Sequence, residues 1–270
     1  MGVLNTTPDS FSDGGHYFQR DLAIEHGLAM AEDGADIIDV GGESTRPYAE
    51  KISLHEELDR VIPVIQELSK ELKIPISIDT LKAEVAEEAI AAGASIINDI
   101  SALRSDSRMV SVAADAGVPV VLMHMKGSPS DMQDKPVYDH LIQEIMDFLN
   151  NAADRAVEGG IDETSIILDP GIGFGKSYDH NLEIIRDLHQ FQAMGRPICL
   201  GTSNKAFLGH LLDKEAHERD TGTMATIAAG VMNGAHIVRV HNVKKTFETV
   251  KVIDAIMRAR VADHQDEKGG

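Results

Sequence analysis

The sequence predicts an α/β fold, a single (β/α)8 barrel, and three observations carry that prediction. Short β-branched runs alternate strictly with longer stretches of helical spacing, eight of each. The runs lack the apolar-in, polar-out alternation of a sheet with one wet face, so both faces are expected to be covered by protein. Small-residue turns recur between helix and strand, at Gly34-Ala35, Gly93-Ala94, Gly117-Val118 and Gly234-Ala235, where glycine supplies a left-handed helix end. Alternation alone also admits an open, doubly wound sheet. The repeated turn and the length of 270 residues favour the closed form, which needs about 250.

In chain order, the first strand is expected at 2–5, ahead of a polar loop, with its helix at 22–33. Ile37, Ile38 and Val40 mark a second strand at 36–40, followed by a helix at 54–72. Ile76 and Ile78 mark the third at 76–79, and Ile96 and Ile97 the fourth at 95–98, with helices at 82–92 and 107–116. The fifth, 119–124, and sixth, 166–169, precede helices at 138–158 and 181–191. The last two, 198–201 and 236–241, precede helices at 221–233 and 243–261. One domain is expected over 1–262, with 263–270 a polar, frayed tail.

The formal net charge of −19 argues against nucleic acid or an anionic membrane as partner, since both need a basic footprint. It leaves room for an anionic small substrate held by a local cluster of cations. No apolar run approaches the roughly 18 residues of a membrane span. The N-terminal residues show no basic segment followed by a cleavable apolar core, so a cytoplasmic protein is expected. The single cysteine, Cys199, lies in the apolar run Pro197-Ile198-Cys199-Leu200 and is expected to be buried and structural.

In a β/α barrel the site is built at the C-terminal ends of the strands, and here those ends are densely polar. They carry Asn5, Asp79, Asn98-Asp99, Asp169, Ser203-Asn204-Lys205 and Arg239-Val240-His241, and the second strand runs into Gly41–Pro47. Helix N-caps could account for Asp79-Thr80 or Asn98-Asp99 singly. They cannot account for Lys205 and Arg239, because a helix N-terminus favours an anion. Asp79, Asn98, Asp169 and Lys205 together offer acceptors and a donor able to read the polar edge of a heterocycle. Arg46, Arg239 and His241 form a cationic subset suited to phosphate oxygens. Asn5 adds a neutral oxygen suitable as one ligand of a magnesium ion that keeps most of its waters. A ring joined to a diphosphate is the ligand this set implies.

The loops refine that reading. Asp169-Pro170-Gly171-Ile172-Gly173-Phe174-Gly175-Lys176 matches neither a P-loop nor a dinucleotide fingerprint, and is read as backbone that approaches a flat ligand, with Phe174 as a wall. Asp9 and Phe11, in the polar first loop, are expected in a lid, and the second loop, 43–50, has the same character. His124 has no neighbouring His or Cys at metal-ligand spacing and is expected to be structural.

At these residues the sequence strongly resembles the dihydropteroate synthases, a pterin-binding family built on the TIM barrel. The resemblance rests on Leu4–Gly15, on Asp39–Pro47, on Asp169–Lys176, and on Ile78-Asp79-Thr80, Ile97-Asn98-Asp99, Ser203-Asn204-Lys205 and Arg239-Val240-His241. It implies that Asp79, Asn98, Asp169 and Lys205 bind the pterin, and that Asn5, Arg46, Arg239 and His241 hold its diphosphate and a magnesium ion. Thr45, Pro47, Phe174 and Ser203 would border a 4-aminobenzoate pocket. The first two loops would close over both substrates. The chemistry implied is loss of pyrophosphate from a dihydropterin methylene diphosphate, then attack by the aniline nitrogen, with Asp79, Lys205, Arg239 and His241 as the catalytic set. No covalent enzyme intermediate is expected. A homodimer is also implied.

The chain departs from the family at Asn204, where relatives usually carry Arg or a similar cation. It also starts almost at the first strand, where relatives have a further segment. Two other readings share the barrel. Methyltetrahydrofolate-dependent corrinoid methyltransferases would need neither the cationic subset nor Thr45-Arg46-Pro47, and a non-catalytic pterin-binding paralogue is favoured only by Asn204.

Overall fold

A computed structural model describes residues 1–7, 16–44, 51–127, 132 and 136–259, with residues 16–19 described by backbone alone. Its strands are β1 (Gly2–Asn5), β2 (Ile38–Gly41), β3 (Ile76–Asp79), β4 (Ile96–Asp99), β5 (Val120–Met123), β6 (Ile166–Asp169), β7 (Cys199–Leu200) and β8 (Ile237–Val238). The first six form one parallel sheet in sequence order, and β7 pairs with β8. Parallel bridges between Leu168 and Ile198 and between Gly2 and Val240 join the two sheets at both edges. Val3 N donates to Val240 O at 2.8 Å, and Val240 N to Met1 O at 3.0 Å. The ring is therefore closed, which decides between the barrel and the open sheet.

The missing alternation has a direct cause. Along each strand, one set of residues faces the helices: Ile38, Val40, Ile76, Ile78, Ile97, Val120, Leu122, Ile166 and Leu168 belong to the main core. The other set faces the barrel axis, where Ile96, Val121 and Cys199 pack with Ile37, Ile167 and Ile237 in a separate cluster. Both faces are apolar because both are dry. Cys199 is fully buried in that cluster, as its sequence context implies.

Nine α-helices surround the strands among the described residues: α1 (His16–Glu32), α2 (Leu54–Glu71), α3 (Ala83–Ala91), α4 (Met109–Ala116), α5 (Leu141–Glu158), α6 (Tyr178–Arg186), α7 (Ala206–Leu212), α8 (Asp220–Met232) and α9 (Val243–Arg258). The four glycines of the repeated turn all have positive φ, from 65° at Gly117 to 118° at Gly93. At Gly93 a side chain is excluded by space as well, since a Cβ would lie 2.5 Å from Ser69 Cβ.

Three helices differ from expectation, the first being α1, which starts at His16, six residues before the expected 22. The segment expected as one helix at 181–191 is α6 followed by a 3-10 helix, Leu188–Met194. α6 begins earlier because Ser177 caps it: its Oγ accepts from His180 N at 3.2 Å, while Ser177 N donates to His180 Nδ1 at 3.1 Å. α7 was not expected, since its seven residues are too few to establish a helical period. The tail 263–270 lies outside the described residues.

Candidate active site

The C-terminal mouth of the barrel sits directly above the aliphatic plug. Parallel register places Asn5, Gly41 and Asp79 side by side on β1, β2 and β3, with Asn98 opposite Asp79 on β4. Gly41 has no side chain to separate its neighbours: a Cβ there would lie 3.5 Å from Asp79 Cβ and 3.9 Å from Asn5 Oδ1. Across the barrel, Arg239 Nη2 donates to Asp79 Oδ2 at 2.7 Å, and Arg239 Nε donates to Asp39 Oδ2 at 2.6 Å. Asn98 Nδ2 donates to the same Asp39 oxygen at 3.1 Å. Asp79, Asn98 and Asp169 are all buried.

The side chains that make the local turns after β3 and β4 are Thr80 and Asp99. Asp99 makes the local turn, accepting from Ser101 N at 2.7 Å and Leu103 N at 3.1 Å, and so holds Ala102 and Leu103 at φ 54° and 62°. Thr80 does the equivalent after β3, accepting from Lys82 N at 3.2 Å and donating to the buried Glu57 Oε1 at 2.6 Å. Asp79 and Asn98 are thereby left to the mouth. Lys82 also bonds Glu57 and Glu43, and Arg60 Nη1 donates to Gly42 O at 2.8 Å, so the segment leaving β2 is tied to α2 and to the end of β3.

On the opposite side, Asp169 Oδ1 accepts from Gly171 N at 2.7 Å, which folds the glycine-rich segment back over β6. Gly171, Gly173 and Gly175 have φ of 72°, 84° and 65°. A Cβ on Gly171 would fall 2.0 Å from His124 O, so the segment needs glycine there. Phe174 stands under Lys205, whose Nζ is 4.4 Å from the ring centroid, and clusters with Ile100, Met123, Met125 and Met132. Ser203 Oγ and His241 Nδ1 are 2.9 Å apart, which joins the last two strands at the rim.

Burial sets the protonation behaviour. It pushes Asp79 up to about 7 against the opposing pull of Arg239, with Asp39 adding to the rise. It also raises Asp169, opposed by the Gly171 N–H and by Lys205. Lys205 is lowered to about 8 by burial and by Arg239, with Asp169 and Asp79 pulling the other way. Arg239 is raised: Asp39 and Asp79 outweigh the burial that would lower it.

Three features of the site leave little trace in the sequence. Asp39 is fully buried and supports both Arg239 and Asn98. Its signal was a lone carboxylate two residues before Gly41, on the same strand face. Lys176 is buried too, with Nζ 2.9 Å from both His124 Nδ1 and Phe174 O. His124 is thus structural, as expected, and burial followed by Lys176 lowers its pKa to about 2. The Glu43–Lys82–Glu57 cluster was missed as well. Asp9, Phe11, Thr45, Arg46 and Pro47 lie outside the described residues.

The sequence pattern of the pterin binding enzyme family matches residues 1–241. The dihydropteroate synthase of Bacillus subtilis (strain 168) is 49% identical over 264 residues, covering 98% of this chain and 90% of that protein. The chain belongs to the dihydropteroate synthase family. Solved relatives agree in fold. The Yersinia pestis dihydropteroate synthase, solved as a sulfonamide drug complex, superposes with a TM-score of 0.91 at 43% identity, covering 96% of this chain and 94% of that one. The Xanthomonas albilineans dihydropteroate synthase with 4-aminobenzoic acid gives 0.91 at 42%, covering 96% and 93%. Dihydropteroate synthase function and the TIM barrel are thus shared along nearly the whole chain.

Proposed function

We propose that the barrel mouth carries out the dihydropteroate synthase reaction with the residues of this chain divided as follows. Asp79, Asn98, Asp169 and Lys205 bind the dihydropterin ring; Asn5, Arg46, Arg239 and His241 take its diphosphate; Thr45, Pro47, Phe174 and Ser203 border 4-aminobenzoate, the ligand of the Xanthomonas albilineans relative. The carrying observation is the position of Arg239, bonded to Asp79 on one edge and Asp39 on another. It puts a fixed cation between the ring-reading carboxylates and the rim, where the leaving group must sit.

The bond between the pterin methylene carbon and the diphosphate oxygen breaks, and its electron pair leaves with pyrophosphate. Arg239 and His241 stabilise that developing charge, while the anionic Asp79 lies on the side of the positive charge left on the pterin. The aniline nitrogen then attacks the methylene carbon, forms the C–N bond and loses a proton to solvent. Lys205, stacked on Phe174, holds the ring and its wall in one geometry.

Among the described residues no group of three or more His, Cys, Asp or Glu could hold a metal. The single amide oxygen of Asn5 fits magnesium, which keeps several waters and takes substrate phosphate oxygens. When bound, magnesium would neutralise diphosphate charge.

Pyrophosphate release from the dihydropterin diphosphate, with magnesium and with or without 4-aminobenzoate, tests this reading. Matched formation of dihydropteroate and pyrophosphate is expected; pterin binding without turnover would overturn it and favour a non-catalytic paralogue.

The homodimer implied by resemblance is supported by large apolar side chains exposed on the outer helices. Met232 is 57% exposed, Val252, Ile256 and Met257 are each 58% exposed, and Val252 and Ile256 are four apart on α9. Sedimentation is expected to give twice the chain mass for the native protein and a lower value for Ile256→Asp.

A further inference from the structure

We propose that Asp39 is a positioning residue that sets the ring specificity of the mouth by fixing the orientation of the Asn98 amide. The inference rests on the reading that the mouth takes a pterin, and adds a reason why it would reject a ring of the same shape.

An amide presents a donor and an acceptor of nearly equal size, so an Asn that reads a ligand edge discriminates only if something prevents it from turning over. Asn98 has such a restraint. Its Nδ2 lies 3.1 Å from Asp39 Oδ2, and the same oxygen is 2.6 Å from Arg239 Nε. A carboxylate paired with a guanidinium only accepts, so the NH2 end of Asn98 must face it. Turning the amide over would bring Asn98 Oδ1 against that carboxylate, in a place with no solvent: Asp39 is 0% exposed and Asn98 4%. Asp39 cannot swing away to relieve the clash, because the Arg239 ion pair holds it, and Arg239 is itself held by Asp79 at 2.7 Å. Asp39 Oδ1 has no bond of its own among the described residues, so the Arg239 and Asn98 contacts carry the function of this carboxylate.

The remaining Asn98 N–H and the Oδ1 therefore meet a ligand in one order. A 2-amino-4-oxopteridine presents an acceptor nitrogen beside an amino donor. A 2,4-dioxopteridine of the same outline presents the reverse, an N–H beside a carbonyl. A fixed Asn98 can match one of these edges; a free one can match both.

The test is the ratio of affinities for 6-hydroxymethylpterin and 6-hydroxymethyllumazine, measured by calorimetry. Neither probe carries a diphosphate, so changes in phosphate binding do not enter. The native chain is expected to prefer the pterin, and Asp39→Ala to narrow that preference by about tenfold or more, mainly by binding the lumazine better. In an Asn98→Ala background, Asp39→Ala is expected to change the ratio less than about twofold, because the amide that turns is gone. A general loss of affinity with an unchanged ratio would mean that Asp39 is merely structural, and would overturn the proposal. If Asp39→Ala does not fold, the native complex decides: one Asn98 Nδ2 proton should stay protected from exchange with pterin bound, and free exchange of both would overturn it. Failure of the native chain to bind either probe would instead overturn the pterin reading itself.

Discussion

Two levels of one barrel interior, separated by a single pleat repeat, do opposite things. The lower level, Ile37, Ile96, Val121, Ile167, Cys199 and Ile237, is aliphatic and closes the barrel from below. Two residues further along four of the same strands stand Asp39, Asn98 and Asp169, all buried, and the partly buried Arg239. Strand geometry is common to both levels, so the difference lies in side-chain chemistry alone. On the proposed reading the lower level lends stability and the upper level binds substrate, and the upper one sits where burial works against its charges.

The largest expected break in this division is Arg239→Ala. It removes the partner of two buried carboxylates and a cation proposed to face the leaving group, so dihydropteroate formation is expected to fall by about 10³-fold or more. Unfolding free energy should also fall, by about 3–5 kcal/mol, because Asp39 and Asp79 are left unpaired. Chemical denaturation and steady-state turnover read the two effects separately.

Ile96→Ala should do the reverse. It opens a cavity in the plug and is expected to cost about 2–5 kcal/mol, with kcat/KM changing less than about threefold below the unfolding transition.

A pH titration sharpens the contrast. Asp79 rises to about 7 and Lys205 falls to about 8, so pterin affinity should be greatest between those values. It should decline by about tenfold per pH unit on either side. Stability runs the other way. Asp79 is protonated more readily in the folded state than in the unfolded one, so its cost is full above about 7 and is relieved as pH falls toward its ordinary value. Lys205 loses its proton more readily when folded, so its cost is full below about 8 and is relieved as pH rises. Both costs are complete in the window where the site binds best. Unfolding titrations should show a larger low-pH relief in the native chain than in Asp79→Asn, where only the other raised carboxylates, Asp99 and Asp169, remain to supply it.

The smallest expected effect lies outside both levels. Asn242 caps α9, its Oδ1 accepting from Lys245 N at 3.2 Å. Asn242→Ala should lower stability by about 1 kcal/mol in chemical denaturation and leave turnover unchanged.

Much of this was legible in the sequence, for physical reasons that differ by residue. The eight strands showed because β-branched residues fill both of their faces, and the connections showed because positive φ at Gly34, Gly93, Gly117 and Gly234 requires glycine. Asp79, Asn98, Asp169, Lys205 and Arg239 showed because strand ends in a barrel converge. Asp39 did not, since it lies inside a strand and its meaning depends on Arg239, 200 residues away. Lys176 shows in the sequence only as the end of a glycine-rich motif. That its amine would be buried against His124, 52 residues earlier, is a tertiary fact. α7 was too short to have a period.

Strand β6 carries both levels, with Ile167 in the plug and Asp169 at the mouth. Calorimetric titration of 6-hydroxymethylpterin into Asp169→Ala and Ile167→Ala, side by side, tests the division most directly. The expected result is a loss of affinity of about 100-fold or more for Asp169→Ala and less than about threefold for folded Ile167→Ala. Equal losses in the two, or native affinity in Asp169→Ala, would contradict it.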